Sequence, residues 1–131
     1  IKFEKKVSAG AEFFQTQVIF EIEKARNFLK ETRRYNVPVL IGIFPLRSYG
    51  VAEYFDKTVP GVKVPGELLE TLAKTRDIPD KSKRRAKYNE INLDYFRGFI
   101  KELKKTTSVA GYHIMSVGYE TIIPPLVEVV K

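Results

Sequence analysis

The chain has no cysteine and no tryptophan, and a single histidine and a single methionine among its 131 residues. The missing cysteines exclude a disulfide scaffold, thiolate metal sites and a cysteine nucleophile. One histidine, His113, with no thiol partners leaves little from which to build a metal site, and none is expected. Long hydrophobic runs are also lacking. The longest, such as Val37 to Leu46, fall far short of a bilayer span. No charged n-region with an apolar stretch and cleavage site opens the chain, so the expectation is a cytoplasmic protein without a membrane segment. There is no P-loop, G-x-G-x-x-G or G-x-S-x-G. Glu12, Glu21, Glu23 and Glu120 show no spacing that pairs carboxylates for acid–base chemistry.

What is present is apolar enough for a sizeable core: 44% of residues are hydrophobic and 30% charged, and the length suits one domain, taken as residues 1–131. Lysine and arginine number 23 against 16 acids, a formal charge of +7, and five of the cations crowd into Lys81 to Lys87. Clustered cations neutralise phosphates. No aromatic platform or nucleic-acid motif accompanies them, so a solvated helix face is the favoured reading and a nucleic-acid-binding module a minor alternative. The chain opens on Ile1 rather than Met, and its first residues read as the interior of a longer protein.

Strand-like and helix-like segments alternate. Glu12 to Phe20 reads as a buried strand, and Glu21 to Arg34 as a helix with Ile22, Ala25, Phe28, Leu29 and Thr32 at helical spacing. Val37 to Phe44 is apolar on both faces, as parallel strands covered by helices tend to be. Pro45 ends it, and Ser48 caps a short helix to Lys57. Pro60-Gly61 and Pro65-Gly66 punctuate the chain before a helix from Glu67 to Thr75. A long helix from Ser82 to Lys105 carries Tyr88, Ile91, Tyr95, Phe99 and Leu103 on one stripe. Val109 to Val117 is the third strand, and Glu120 to Val130 the closing helix, with Pro124-Pro125 at a break or start. The order β-α-β-α-α-α-β-α predicts an α/β fold with a parallel sheet and right-handed crossovers. Three such strands make three-eighths of a (β/α)8 barrel, which needs about 250 residues. The chain is therefore either the C-terminal part of a barrel or a small α/β domain in its own right.

In a parallel barrel the chemistry gathers at the C-terminal ends of the strands. Here those ends are Thr16-Gln17, Phe44-Pro45-Leu46 and Met115 to Gly118. The Gln17 amide donates and accepts together, which suits the edge of a heterocycle, although a polar residue satisfied at a strand end looks the same. Tyr49 and Phe55 offer flat rings for stacking, or core packing. Lys5 and Lys6 are suited to a phosphate, or simply to solvent. His113, between Tyr112 and Ile114, reads as a packed structural histidine rather than a catalytic one.

The run of these segments is more specific than any one of them. Lys6-Val7-x-Ala9-Gly10-Ala11 followed by Thr16-Gln17 resembles the K-V-x-A-G-A-x-x-x-x-T-Q signature of flavin-dependent methylenetetrahydrofolate reductases. Gly42-Ile43-x-Pro45-Leu46 resembles that family's G-I-x-P segment, Gly61-Val62-x-Val64-Pro65 its G-V-x-I/V-P segment, and Gly111-Tyr112-His113 its closing G-x-H strand. The resemblance covers nearly the whole chain in the family's order. It implies the C-terminal three strand-helix units of a (β/α)8 TIM barrel, with FAD at the C-terminal face. It also implies reduction of 5,10-methylenetetrahydrofolate, or a related methylene-pterin, to the 5-methyl form in one-carbon metabolism. On matched positions, Gln17 would hydrogen-bond the pterin, Phe55 would stack near it, and Lys5 and Lys6 would meet the FAD diphosphate. Electrons would come from NAD(P)H or a reduced protein.

Two departures stand out. Where many members carry T-L-N-R after the last strand, this chain has Ser116-Val117-Gly118-Tyr119, and Val51 replaces a residue that is polar in several members. The family's proton-donating glutamate and flavin-tuning aspartate belong to earlier strands, so no catalytic residue is expected in this segment. It should need the rest of the barrel, a partner chain or a homo-oligomer. The alternative reading is a non-catalytic partial barrel that binds a partner subunit.

Overall fold

Three short strands form the middle of the fold and helices make up most of what surrounds them. The computed structural model describes residues 2–131. In chain order the elements are α1 (Lys2–Ser8), β1 (Phe14–Val18), α2 (Ile22–Thr32), β2 (Val39–Ile43), α3 (Tyr49–Thr58), α4 (Gly66–Arg76), α5 (Lys81–Thr106), β3 (Gly111–Ile114) and α6 (Ile123–Val130). Short 3-10 turns at Arg33–Tyr35 and Glu120–Ile122 complete the set. The strands lie in the order β1-β2-β3 and every pairing is parallel. This is the mixed α/β arrangement that alternating strand and helix patterns dictate.

β2 is central because both its faces are apolar. Val39, Ile41 and Ile43 are buried beneath the helices, where they join Ala25 and Leu29 of α2, Leu72 of α4, Phe96, Phe99 and Leu103 of α5, and Leu126 of α6 in one core. Burial of each of the larger side chains among them stabilises the fold by about 1.5–3 kcal/mol. Two tyrosines fasten the layers: Tyr95 on α5 donates to the carbonyl of Phe20, and Tyr112 on β3 donates to the carbonyl of Ile100 at 3.3 Å. The opposite side of the sheet is only half covered. Gln15 is exposed, and Leu40, His113 and Met115 are partly so. The outer edges of β1 and β3 pair with no other strand among the described residues.

The strands are shorter than the apolar runs suggest. Pro38 lacks an N–H and only accepts, from Phe14 at 2.9 Å, so β2 begins at Val39. β1 ends at Val18, although Ile19 still donates its N–H to the Gly42 carbonyl at 3.1 Å, and the buried Ile19 and Phe20 carry the chain on into the core. The closing helix begins at Ile123 rather than Glu120, with Pro124 and Pro125 in its first turn, where no N–H is needed. The helix α1 was not expected. With Phe3 and Val7 as its apolar residues it is too short to show a period. Tertiary contact holds it instead, because Phe3 stacks on Phe14 at 4.0 Å and meets Phe28 and Tyr35 edge-on or tilted. Its end explains part of the signature: Gly10 adopts φ 103, Ala11 N–H bonds to the Lys6 carbonyl, and Gly10 N–H to that of Val7. That is a Schellman C-cap, and glycine meets its left-handed position without a Cβ penalty.

On α5 the expected stripe is nearly right. Tyr88, Ile91, Phe99 and Leu103 are buried, with Asn92, Phe96 and Ile100 beside them, while Tyr95 is half-buried. No helix among the described residues is long and apolar enough to cross a membrane.

Candidate functional site

The C-terminal end of β1 is irregular in a way that aims one side chain. Gln15 pairs with Leu40 and Val18 with Gly42, so Thr16 and Gln17 together oppose the single residue Ile41. Such a bulge bends the strand and redirects its side chains. Thr16 stabilises it by accepting from the Gly42 N–H at 2.9 Å and donating to the Gln17 carbonyl at 2.7 Å. Gly42 is required opposite: a Cβ there would lie 2.8 Å from the Thr16 carbonyl oxygen, 2.9 Å from Met115 Cε and 3.0 Å from the Gln17 carbonyl oxygen.

Gln17 is exposed at this end, and its Nε2 donates to the Pro60 carbonyl at 3.2 Å. Its Oε1 accepts nothing among the described residues. The neighbouring carbonyl, that of Gly61, accepts from Lys24 Nζ. The turn carrying Pro60 and Gly61 is thus tied across the strand end from two sides. It is held below by buried Val62 and Val64, the latter donating its N–H to Asp56 at 2.9 Å. A groove of about 240 Å³ opens between Thr16, Gln17, Lys24, Phe28 and Gly61.

Phe55, on α3, reaches the same end. Its ring packs 4.8 Å from Phe44 and 5.7 Å from Phe20, two residues past the end of β1, and stays half-buried. The structure therefore brings Gln17 and Phe55 to one end of the sheet. Lys5 and Lys6 stand elsewhere: α1 is anchored by Phe3 at the start of β1, the opposite end of that strand from Gln17 and roughly 10 Å away along it. Both lysines are exposed and form no ion pair among the described residues.

The loop after β2 is fixed by a residue that sequence reasoning missed. Asn92, buried on α5, accepts from Leu46 N–H at 2.7 Å and donates to the Leu46 and Tyr88 carbonyls at 2.8 Å each. The available signal was a lone amide four residues beyond Tyr88, within an apolar stripe. Ser48 caps α3 as expected, accepting from Val51 at 3.3 Å, and Tyr49 N–H meets the Tyr88 hydroxyl at 3.3 Å. Beyond β3, Gly118 adopts φ 69 and donates its N–H to Glu120 at 3.1 Å, while Tyr119 turns inward and donates to Asn89. Ser116 Oγ is buried without a partner.

His113 sits half-buried in register with Gly42 on the open side of the sheet. Glu23 pairs with Arg26. Tyr49 donates to Glu53 at 2.9 Å, which holds the Glu53 carboxyl below its usual range, with Lys57 assisting. Of the cations of Lys81 to Lys87 on the first turns of α5, Arg84 is half-buried and donates to the Ile78 carbonyl at 2.9 Å, while the others are exposed and Lys87 pairs with Glu90 at 3.5 Å. A larger cleft of about 530 Å³ is lined by Arg26, Lys30, Arg33 and Lys105. The last three sit at the C-terminal ends of α2 and α5, where cations balance the helix dipoles. No group of three or more acidic or histidine side chains that could hold a metal occurs among the described residues.

A family model described as methylenetetrahydrofolate reductase matches residues 1–131. Methylenetetrahydrofolate reductase 2 of Schizosaccharomyces pombe (strain 972 / ATCC 24843) is 27% identical to the chain over 124 residues, which covers 88% of this chain and 18% of the relative. The chain thus spans about a fifth of the length of that curated relative.

Proposed function

The chain belongs to the methylenetetrahydrofolate reductase family, and from that premise we propose that it forms the pterin-binding side of a flavin-dependent reductase. In this reading a methylene-pterin, 5,10-methylenetetrahydrofolate or a close relative, is reduced to its 5-methyl form. The observation that carries the reading is Gln17. A bulge presents its amide at the C-terminal end of a parallel sheet, with Oε1 left to accept from a ligand. One primary amide can donate to a ring nitrogen or carbonyl and accept from an amino group, the pattern along a pterin edge. Phe55 supplies an apolar ring at the same end, already braced by Phe20 and Phe44. Bracing limits the entropy lost when such a ring meets a flat ligand.

Lys5 and Lys6 would hold the diphosphate of an FAD. They are exposed and unpaired among the described residues, so their ammonium donors fit an anion, and a dinucleotide is extended enough to touch residues well apart. The chemistry a bound flavin supplies is hydride delivery to the methylene carbon, with NAD(P)H or a reduced protein as the electron source. The chain's own part is to orient the pterin through Gln17 and Phe55 and to exclude water with the turn at Pro60. No residue of this chain is assigned a proton-transfer role.

The open edges of β1 and β3 and the half-covered sheet face support completion of a (β/α)8 barrel by further strands, from the same polypeptide or from a partner. They equally favour a second reading, a partial barrel that serves as a partner's docking surface. Stopped-flow reoxidation of reduced flavin in the intact protein separates the two. A reductase transfers electrons to methylenetetrahydrofolate, and Gln17→Ala raises KM or lowers kcat by about tenfold or more. Unchanged kinetics in that variant would remove Gln17 from the site. Absence of flavin and of turnover would favour the docking reading.

A further inference from the structure

We propose that Arg47 is the specificity-determining cation of this face, taking a carboxylate from the acidic tail of the substrate. The assignment rests on the methylene-pterin reading and adds to it the group that would distinguish a folate from a bare pterin.

The argument begins with rigidity. Arg47 is exposed between neighbours that are fixed: Pro45 and Leu46 are fully buried, both backbone groups of Leu46 are bonded to Asn92, Ser48 caps α3, and Tyr49 N–H is bonded to Tyr88. The backbone that launches the side chain therefore has one arrangement. The side chain crosses from the loop after β2 to the loop after β3 and lies over Gly118. A Cβ on Gly118 would come within 3.0 Å of Nη1 and 3.8 Å of Cζ, so glycine there makes room for the guanidinium as well as meeting φ 69.

The guanidinium so placed forms no ion pair or hydrogen bond among the described residues. The nearby acid, Glu120, uses Oε1 to accept from the Gly118 N–H. Tyr119 offers no polar group to the same space, because its hydroxyl is donated to Asn89. By contrast, Arg26 meets two glutamates and Arg97 pairs with Asp94. A planar fork of donors held on a rigid loop, and not satisfied within the chain, suits bidentate capture of a carboxylate.

Position selects the ligand. Arg47 and Gly118 follow the C-terminal ends of β2 and β3, the same end of the sheet at which Gln17 closes β1. Neighbouring strands are about 4.8 Å apart, so β1 and β3 are separated by about 10 Å. A molecule with its heterocycle on Gln17 and a flat spacer crossing β2 brings a terminal carboxylate to Arg47. A pterin joined through an aminobenzoyl ring to glutamate has that layout.

The test compares Arg47→Ala and Arg47→Lys with the parent in the intact protein, using methylenetetrahydrofolate and the corresponding pteroyl amide, which lacks the glutamate and carries no carboxylate. For Arg47→Ala the expected result is a rise in folate KM, and in calorimetric Kd for tetrahydrofolate, of about tenfold to a hundredfold. The kcat should hold, and the parameters for the pteroyl amide should not move. Arg47→Lys should fall between, since an ammonium keeps the charge and loses the fork. An equal loss on both substrates, or no loss on either, would overturn the assignment while leaving Gln17 and the pterin in place. A parent protein that binds neither compound would overturn the functional reading, and Arg47 with it.

Discussion

The side-chain amide of Asn92 is bonded to both backbone groups of Leu46, as a neighbouring strand would be, at 2.7 and 2.8 Å. One buried residue of α5 thereby ends β2 and sets the loop that begins α3. Asn92→Ala removes one partner and leaves a buried N–H and two carbonyls short of a bond. The expected loss is about 2–3 kcal/mol of unfolding free energy. Urea denaturation of the intact protein measures it. A loss below about 0.5 kcal/mol, the scatter of ordinary surface substitutions, would show that water replaces the amide.

Gly42→Ala places a methyl group against two backbone carbonyl oxygens and the end of Met115. Methionine can move aside, but the bulged backbone of β1 cannot follow without giving up the Thr16 bond. Destabilisation of about 1–3 kcal/mol is expected. Met115→Ala in the same background should recover only a minor part of it. Full recovery would place the clash on the side chain and not on the strand.

Burial pushes the hydroxyls of Tyr95, Tyr112 and Tyr119 up to about 12. An unfolded tyrosine titrates near 10, so the folded state holds these protons more tightly than the unfolded state. The stability they contribute is complete below pH 10 and is lost as pH rises from 10 toward 12. Phenolate absorbance should show the chain's seven tyrosines ionising in an early and a late phase, the late phase coinciding with unfolding. A single phase near pH 10 in the folded protein would contradict the burial of all three.

Lys5→Ala together with Lys6→Ala should leave the denaturation midpoint within about 0.5 kcal/mol of the parent, because both side chains are exposed. If they hold a diphosphate, flavin should dissociate more readily by about tenfold or more, and the difference should shrink as salt is added. Equal flavin retention in parent and variant would return both lysines to the solvent.

Much of the scaffold is legible in the residues. Val39, Ile41 and Ile43 announce a buried parallel strand, Ser48 announces a helix start, and the spacing of Tyr88, Ile91, Phe99 and Leu103 announces a long helix. The rest depends on contacts between distant segments. The helix α1 exists because Phe3 finds Phe14, and no local pattern reports that. Gln17 and Phe55 were marked by residue type and position, yet the bulge that turns one and the aromatic cluster that braces the other are tertiary facts. Arg47 passed unnoticed because an exposed arginine is unremarkable until the fold lays it over Gly118.

The extra residue in β1 also acts as a phase shift. Side chains alternate along a strand, and two residues set against Ile41 reverse that alternation between Gln15 and Val18. A chain with one residue fewer at this point would run straight through the pairing, with every composition-based feature intact, and the amide would end on the wrong side of the sheet. Counting, as much as chemistry, aims Gln17, so a single-codon deletion at Thr16 is expected to be costlier to binding than most substitutions nearby.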